Sequence, residues 1–182
     1  MPRWLFFAVL IAAPVALVMV YLNAQRVTIP EDCNAAVAAM EAQDYSLAID
    51  HYLLCLDDES LPEEAVAQVY AGLGLAYAAK GNHYQAIEDY SEALRLNPNL
   101  AWTYNNRCWS YGQLRQVEKA LKDCDRALQL LPDQPAILDS RALAYWLLDD
   151  KERAIQDLER ARKIDPATPT WQERFKDFEG MF

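Results

Sequence analysis

Hydrophobic residues follow two different patterns along the chain. Residues 4–22 form one apolar run without a charged side chain. Beyond this run, apolar residues recur at intervals of three and four, as in the stripe of Ala86, Tyr90, Ala93 and Leu94. This spacing places apolar side chains on one face of a helix. The pattern therefore predicts an all-α body preceded by one apolar helix.

The run 4–22 is long enough to cross a bilayer as a helix, since about 20 apolar residues span the hydrocarbon core. Its length favours an uncleaved signal anchor over residues 1–26. A signal peptide cleaved after Ala24 is the alternative. Arg3 and the amino terminus slightly outweigh Arg26 in positive charge, which favours a cytoplasmic amino terminus. Both alternatives predict a body outside the cytoplasm, with the bacterial periplasm as the expected compartment.

The body repeats itself at a fixed interval. Pro98, Pro132 and Pro166 follow one another at intervals of 34 residues, and each ends a similar phrase: EALRLNP, RALQLLP and RARKIDP. A fixed period of this length indicates helix–turn–helix units, in which each hairpin buries its apolar face against the next. The predicted units are a degenerate hairpin at 29–66, full units at 67–100, 101–134 and 135–168, and a capping helix at 169–182.

This pattern resembles the tetratricopeptide repeat (TPR), and in particular the exported, membrane-anchored bacterial proteins of that family. The residues that carry the resemblance in the first full unit are Tyr70, Leu73, Gly74, Tyr77, Ala86, Tyr90, Ala93 and Pro98. The resemblance implies an α-solenoid whose first helices line a concave groove. It also implies a scaffold or adaptor that binds a peptide or protein in that groove. The alternative is an accessory structural subunit of an envelope complex that uses its convex face or membrane helix.

The first helices carry candidate residues for that groove. Tryptophan is a frequent anchor of protein interfaces, and an asparagine amide can bond the backbone of a bound segment. Packing between adjacent helices is the alternative for Trp102 and Trp146. The candidate groove residues are Leu75, Trp102, Asn105, Asn106, Trp109, Asp139, Leu143 and Trp146.

The four cysteines predict two disulfides. Positions 33 and 55 have their midpoint at 44, and positions 108 and 124 have theirs at 116; both midpoints precede an equivalent alanine of the repeat by four residues. Each pair is therefore symmetric about a hairpin turn and can link two antiparallel helices. An even cysteine count outside the cytoplasm favours Cys33–Cys55 and Cys108–Cys124. Buried free thiols are the alternative.

Charge and motifs narrow the function further. The net charge is −10, which disfavours binding to nucleic acid. The sequence contains no phosphate-binding loop, nucleophile elbow or close pair of metal ligands. We therefore expect no catalytic residue, metal or cofactor, and expect His51 and His83 at the surface. The carboxylates, including Asp89, Asp123 and Asp157, are predicted to form a solvated face. The sequence does not indicate an oligomeric state.

Overall fold

A computed structural model describes residues 30–167, and within this range the chain is helical and contains no strand. The predicted membrane helix at 4–22 and the predicted capping helix at 169–182 lie outside the described residues. None of the helices between residues 30 and 167 combines the length and the apolar character needed to cross a membrane. The helices are α1 (Glu31–Glu41), α2 (Tyr45–Leu56), α3 (Glu63–Ala79), α4 (His83–Leu96), α5 (Ala101–Gln113), α6 (Val117–Leu130), α7 (Pro135–Leu147) and α8 (Lys151–Ile164).

Consecutive helices pair as hairpins, and the hairpins fall into two compact units. The first unit ends at Pro98 and contains α1–α4, and the second begins at Asn99 and contains α5–α8. Helix α3 begins at Glu63, four residues before the repeat boundary predicted at 67. Ala65, in the first turn of this helix, is buried.

The four hairpin turns share one backbone geometry. After the first helix of each hairpin, one residue has a positive φ, and the N–H of the next residue donates to the carbonyl oxygen five positions earlier, as from Asn82 to Tyr77 at 2.9 Å. This is the Schellman ending of a helix, in which glycine is favoured because it has no Cβ. Only one of the four turns uses glycine. The positive-φ residues are Gln43, Gly81, Arg115 and Asp149.

In the first unit, tyrosine rings fill spaces that glycines leave. The ring of Tyr52 on α2 packs against Gly72 on α3, and the ring of Tyr90 on α4 packs against Gly74. Both rings are almost completely removed from solvent. Burial raises the pKa of Tyr52 to about 12, so its hydroxyl stays neutral. These contacts set the packing of α3 against the helices on either side of it.

The second unit is built on small residues. Their size allows neighbouring helices to approach closely, and each hairpin thereby covers the apolar face of the other. Larger side chains such as Leu138 and Leu158 fill the space between α7 and α8. The fully buried alanines of this unit are Ala120, Ala127, Ala142, Ala154 and Ala161.

Candidate functional site

Seven of the eight predicted groove residues lie on two neighbouring helices of the second unit, α5 and α7. These helices contact each other directly. Spacings of three and four residues place each set on one face of its helix. We call these seven residues the tryptophan surface: Trp102, Asn105, Asn106 and Trp109 on α5, and Asp139, Leu143 and Trp146 on α7.

The eighth predicted residue, Leu75, is a core residue of the first unit. It lies on α3, is buried, and packs with Ala86 and Tyr90 of α4. Its side chain stabilises that hairpin, and we do not include it in the candidate site.

The tryptophans of this surface are partly exposed. Trp102 and Trp109 are half-buried on α5, and Trp146 is half-buried on α7. Trp146 also packs against the core of the last hairpin, and the Lys151 ammonium lies 5.7 Å from its ring centroid. The Trp146 side chain therefore packs within the unit and also leaves part of its surface accessible to a partner. A surface of this kind can bury further apolar area when a partner binds.

Asn105 is the buried member of the tryptophan surface. Its side chain is only 8% exposed, and its Oδ1 atom accepts no hydrogen bond from any residue in the described range 30–167. A buried acceptor without a partner costs about 1–3 kcal/mol. Because this oxygen has less than 1 Å² of exposed surface, a peptide N–H from outside the chain would reach it only after the Asn105 side chain turns outward.

Two arginine–aspartate pairs hold the hairpins of the second unit together. Arg107 on α5 donates to Asp123 on α6 through Nε at 2.6 Å and Nη2 at 2.9 Å. Arg141 on α7 donates to Asp157 on α8 through the same two atoms, both at 2.8 Å, and to Asp125 at 2.7 Å. Hydrogen bonding to Asp157 raises the pKa of Arg141, so the guanidinium stays charged.

These pairs correct the prediction of a solvated acidic face. Asp123 and Asp157 are buried, because each is fully engaged by a guanidinium across its hairpin. The sequence contained a signal that could have identified them. The aspartates are one repeat apart, and each has an arginine 16 positions before it.

Asp89 occupies the equivalent position in the first unit, but no arginine of residues 30–167 pairs with it. Leu73 stands where the next two repeats have Arg107 and Arg141. Asp89 is 8% exposed, and its Oδ2 atom has no hydrogen-bond partner within the described part of the chain. Burial raises the pKa of this carboxyl to about 6. The prediction of a solvated side chain is therefore wrong for Asp89 as well.

Comparison with protein families agrees with the repeat seen in the structure. One tetratricopeptide repeat model matches residues 67–100 and 101–134, and another matches residues 136–168. Together these spans make up more than half of the chain. The chain belongs to the tetratricopeptide repeat family. Repeats of this family are protein–protein interaction modules. None of the curated proteins is significantly similar to the chain in sequence.

Solved structures of other TPR proteins share the fold at low sequence identity. The first TPR domain of the human RPAP3 protein is 23% identical with a TM-score of 0.61, covering 64% of this chain and 92% of that chain. The first TPR of Spaghetti (RPAP3), bound to the HSP90 peptide SRMEEVD, is 23% identical with a TM-score of 0.60. The match covers 65% of this chain and 94% of that chain. MamA from Desulfovibrio magneticus RS-1, from residue 41 to its end, is 15% identical with a TM-score of 0.72. The match covers 85% of this chain and 87% of that chain. At these identities the similarity shows the fold alone.

The four cysteines of this TPR protein lie at disulfide distance in the two pairs that the sequence predicts. The Cα atoms of Cys33 and Cys55 are 5.0 Å apart, and those of Cys108 and Cys124 are 5.5 Å apart. Both pairs link the two helices of one hairpin. Their side chains are buried, so both links lie inside the hairpins.

The two histidines have different surroundings. His51 lies on α2, with its Nδ1 atom 2.9 Å from Oδ1 of Asp32, a contact that the sequence analysis did not predict. His83 begins α4, and burial lowers its pKa. In the described range, no three histidine, cysteine or acidic side chains are grouped so that they could hold a metal ion.

Proposed function

We propose that this TPR protein is an interaction module that binds a peptide or protein segment along the tryptophan surface. The observation that supports this best is Asn105. Its side-chain carbonyl oxygen is buried without a donor from the described residues, on a helix face that also carries the partly exposed rings of Trp102 and Trp109. A bound segment would draw the Asn105 side chain outward, donate a backbone N–H to this oxygen and cover the rings.

The charges around this surface favour a neutral or basic partner. Asp139 adds a carboxylate to the surface itself. The guanidinium groups of Arg107 and Arg141 are already bonded to aspartates of the same unit. An acidic peptide would therefore gain little from them.

We propose further that the module is tethered to a membrane and faces an oxidising compartment. The apolar run 4–22 supports the tether because of its length. The two cysteine pairs at bonding distance support the compartment, since disulfides persist mainly outside the cytoplasm.

A site-specific crosslinking experiment tests the binding surface. The full chain would carry a photoreactive residue at position 106 and be irradiated in intact cells. We expect a discrete crosslinked partner. It should disappear when Trp109→Ala and Trp146→Ala are combined and persist with Tyr84→Ala, a change of an exposed aromatic residue in the first unit. Circular dichroism would verify that both variants keep their helical content.

Two outcomes would contradict this assignment. Unchanged crosslinking after loss of both tryptophans would exclude the tryptophan surface as the binding site. Capture that survives the tryptophan changes but is lost without residues 1–26 would favour the accessory subunit of an envelope complex instead.

A further inference from the structure

Helix α2 has an outer face that carries exposed leucines. Leu47, Leu53 and Leu54 are 46%, 47% and 52% exposed. Leu47 and Leu54 are seven residues apart and therefore lie on the same side of the helix, two turns from each other. Asp50 lies between them and is also exposed. We call these four residues the α2 outer face.

The opposite side of α2 already supplies the hairpin with its core. Ala48, Ile49, Tyr52 and Cys55 are buried there against the neighbouring helices. The outer leucines are thus additional to the residues that fold the unit. Exposed apolar side chains mark an interaction site when they are adjacent, and Leu47 and Leu54 are neighbours on one side of α2.

The repeat supplies an internal comparison. The second helices of the other three hairpins carry polar or charged residues at every position equivalent to the three leucines. A TPR hairpin of this protein therefore folds without apolar residues there, and the leucines are a property of the first hairpin alone. The equivalent residues are Gln85, Ser91 and Glu92 on α4, Lys119, Asp125 and Arg126 on α6, and Arg153, Glu159 and Arg160 on α8.

The unit that bears this face is strongly acidic. Residues 30–98 contain 13 acidic and 2 basic side chains, whereas residues 99–167 contain 11 of each. Helices α1 and α2 have no lysine or arginine. One of the two basic residues, Lys80, reaches the start of α2, where its Nζ atom donates to Ser46 Oγ at 2.8 Å. Apart from Lys80 beside its first turn, the α2 outer face lies on a hairpin whose Asp and Glu residues are not balanced by lysine or arginine.

We propose that the α2 outer face docks a basic amphipathic helix of a partner. Leucine or a similar side chain of that helix would pack on Leu47 and Leu54, and lysine or arginine beside it would approach Asp50. Charge complementarity selects this occupant, because an acidic helix of the same shape would be repelled. The α2 outer face belongs to the first unit and shares no residue with the tryptophan surface.

A designed peptide pair tests the proposal. The probe is a 14-residue helix of leucine and lysine, and its counterpart has glutamate in place of lysine. Binding of each labelled peptide would be measured by fluorescence anisotropy to the full chain, held in nanodiscs of zwitterionic lipid. We expect saturable binding of the lysine peptide, weaker at high salt, and at least tenfold weaker binding of the glutamate peptide.

Each variant introduces a residue that stands at the equivalent position of another hairpin. Leu47→Gln combined with Leu54→Glu introduces the residues found at the equivalent positions of α4. It should weaken binding of the lysine peptide at least tenfold. Tyr84→Glu copies α6 and α8, and it adds the same single negative charge at another exposed position. It should leave affinity unchanged, so a loss in the leucine variant reports lost apolar contact rather than altered charge. Leu47→Gln alone is a milder second variant, should the double change disturb folding.

Three results would overturn the proposal. The first is equal affinity of the lysine peptide for the wild type and both leucine variants. The second is equal binding of the lysine and glutamate peptides. The third is a dimer in mass photometry that the leucine variant abolishes, which would make a second copy of the chain the occupant.

Discussion

The ring of Tyr90 occupies the space that a side chain at Gly74 would need. A Cβ at Gly74 would lie 2.6 Å from Cδ1 of Tyr90 and 3.0 Å from the carbonyl oxygen of Ala86. The equivalent positions in the next repeat are Cys108 and Cys124. The same place in two successive hairpins is thus closed by an aromatic ring against glycine in one and by a cysteine pair in the other.

This relationship predicts the effect of a single methyl group. Gly74→Ala should lower the free energy of unfolding by about 1–3 kcal/mol, because the ring of Tyr90 has to move. Gly112→Ala is the matched control, since its Cβ would meet only Leu147 Cδ1 at 4.0 Å. That change should be neutral or stabilise by up to about 1 kcal/mol, as expected for glycine to alanine within a helix. Guanidinium unfolding followed by circular dichroism measures both, and equal effects would contradict the contact.

The cysteine pairs predict a protein without free thiols. Alkylation of native, unreduced protein should add no mass, and reduction in denaturant should make all four cysteines reactive. Adducts on native protein would contradict the pairing.

Removal of one disulfide should also have a measurable cost. Combined Cys108→Ala and Cys124→Ala should lower the free energy of unfolding by about 2–4 kcal/mol, because the cross-link restricts the unfolded chain. The sequence separation that this pair closes is 16 residues. Oxidised wild-type protein is the reference, because reduction would also open the Cys33–Cys55 pair, and an unchanged free energy of unfolding in the variant would contradict the link.

Asp89 predicts a pH dependence of stability. Its pKa is raised from 3.8 to about 6 in the folded chain, mainly by burial. The folded state therefore holds this proton more tightly than the unfolded state. Protonation of Asp89 contributes fully to the free energy of unfolding below about pH 4, and this contribution is lost as the pH rises to about 6. Asp89→Asn should remove this change, on the order of 1–3 kcal/mol, and stabilise the protein at pH 7.

The control for Asp89 is the paired aspartate of the next repeat. Asp123→Asn takes a carboxylate from Arg107 and should destabilise the protein at pH 7. The free energy of unfolding of the wild type and both variants, measured at pH 4 and pH 7, distinguishes the unpaired carboxyl of Asp89 from the paired carboxylate of Asp123. The same pH slope in the wild type and Asp89→Asn would show that Asp89 does not carry the effect.

The hairpin turns predict a stabilising substitution. Asp44, Asn82 and Asp150 cap the second helices of their hairpins by accepting the N–H of the residue three positions on. Gln116 holds this place in the third hairpin and makes no side-chain cap. Gln116→Asp should raise the free energy of unfolding by about 0.5–1 kcal/mol. Asp150→Ala should lower it by about 1 kcal/mol, and thermal unfolding compares the two.

The repeat and the cysteine pairs could be predicted because they depend on local geometry. Two helices joined by a short turn bring symmetric positions face to face, so the midpoints of the cysteine pairs indicated Cys33–Cys55 and Cys108–Cys124. The fixed period likewise indicated the family, because a hairpin that cannot bury its own apolar face is repeated in register. The membrane run, the capping helix and the binding role of the tryptophan surface stay predictions.

The burial of single polar residues depended on the tertiary structure. Periodicity assigned Asp123 and Asp89 to one helix face, but the facing helix decides whether a carboxylate there is paired: it supplies Arg107 to Asp123 and has Leu73 at the equivalent position for Asp89. The same holds for Asn105 and Leu75, which lie on predicted groove positions and are buried. By itself, the sequence determined the elements, their order and their pairing, because these follow from the period of the backbone and short turns. Apart from the arginine spacing that marks Asp123 and Asp157, the tertiary structure decided which side chains are desolvated, because that depends on atoms far apart in the chain.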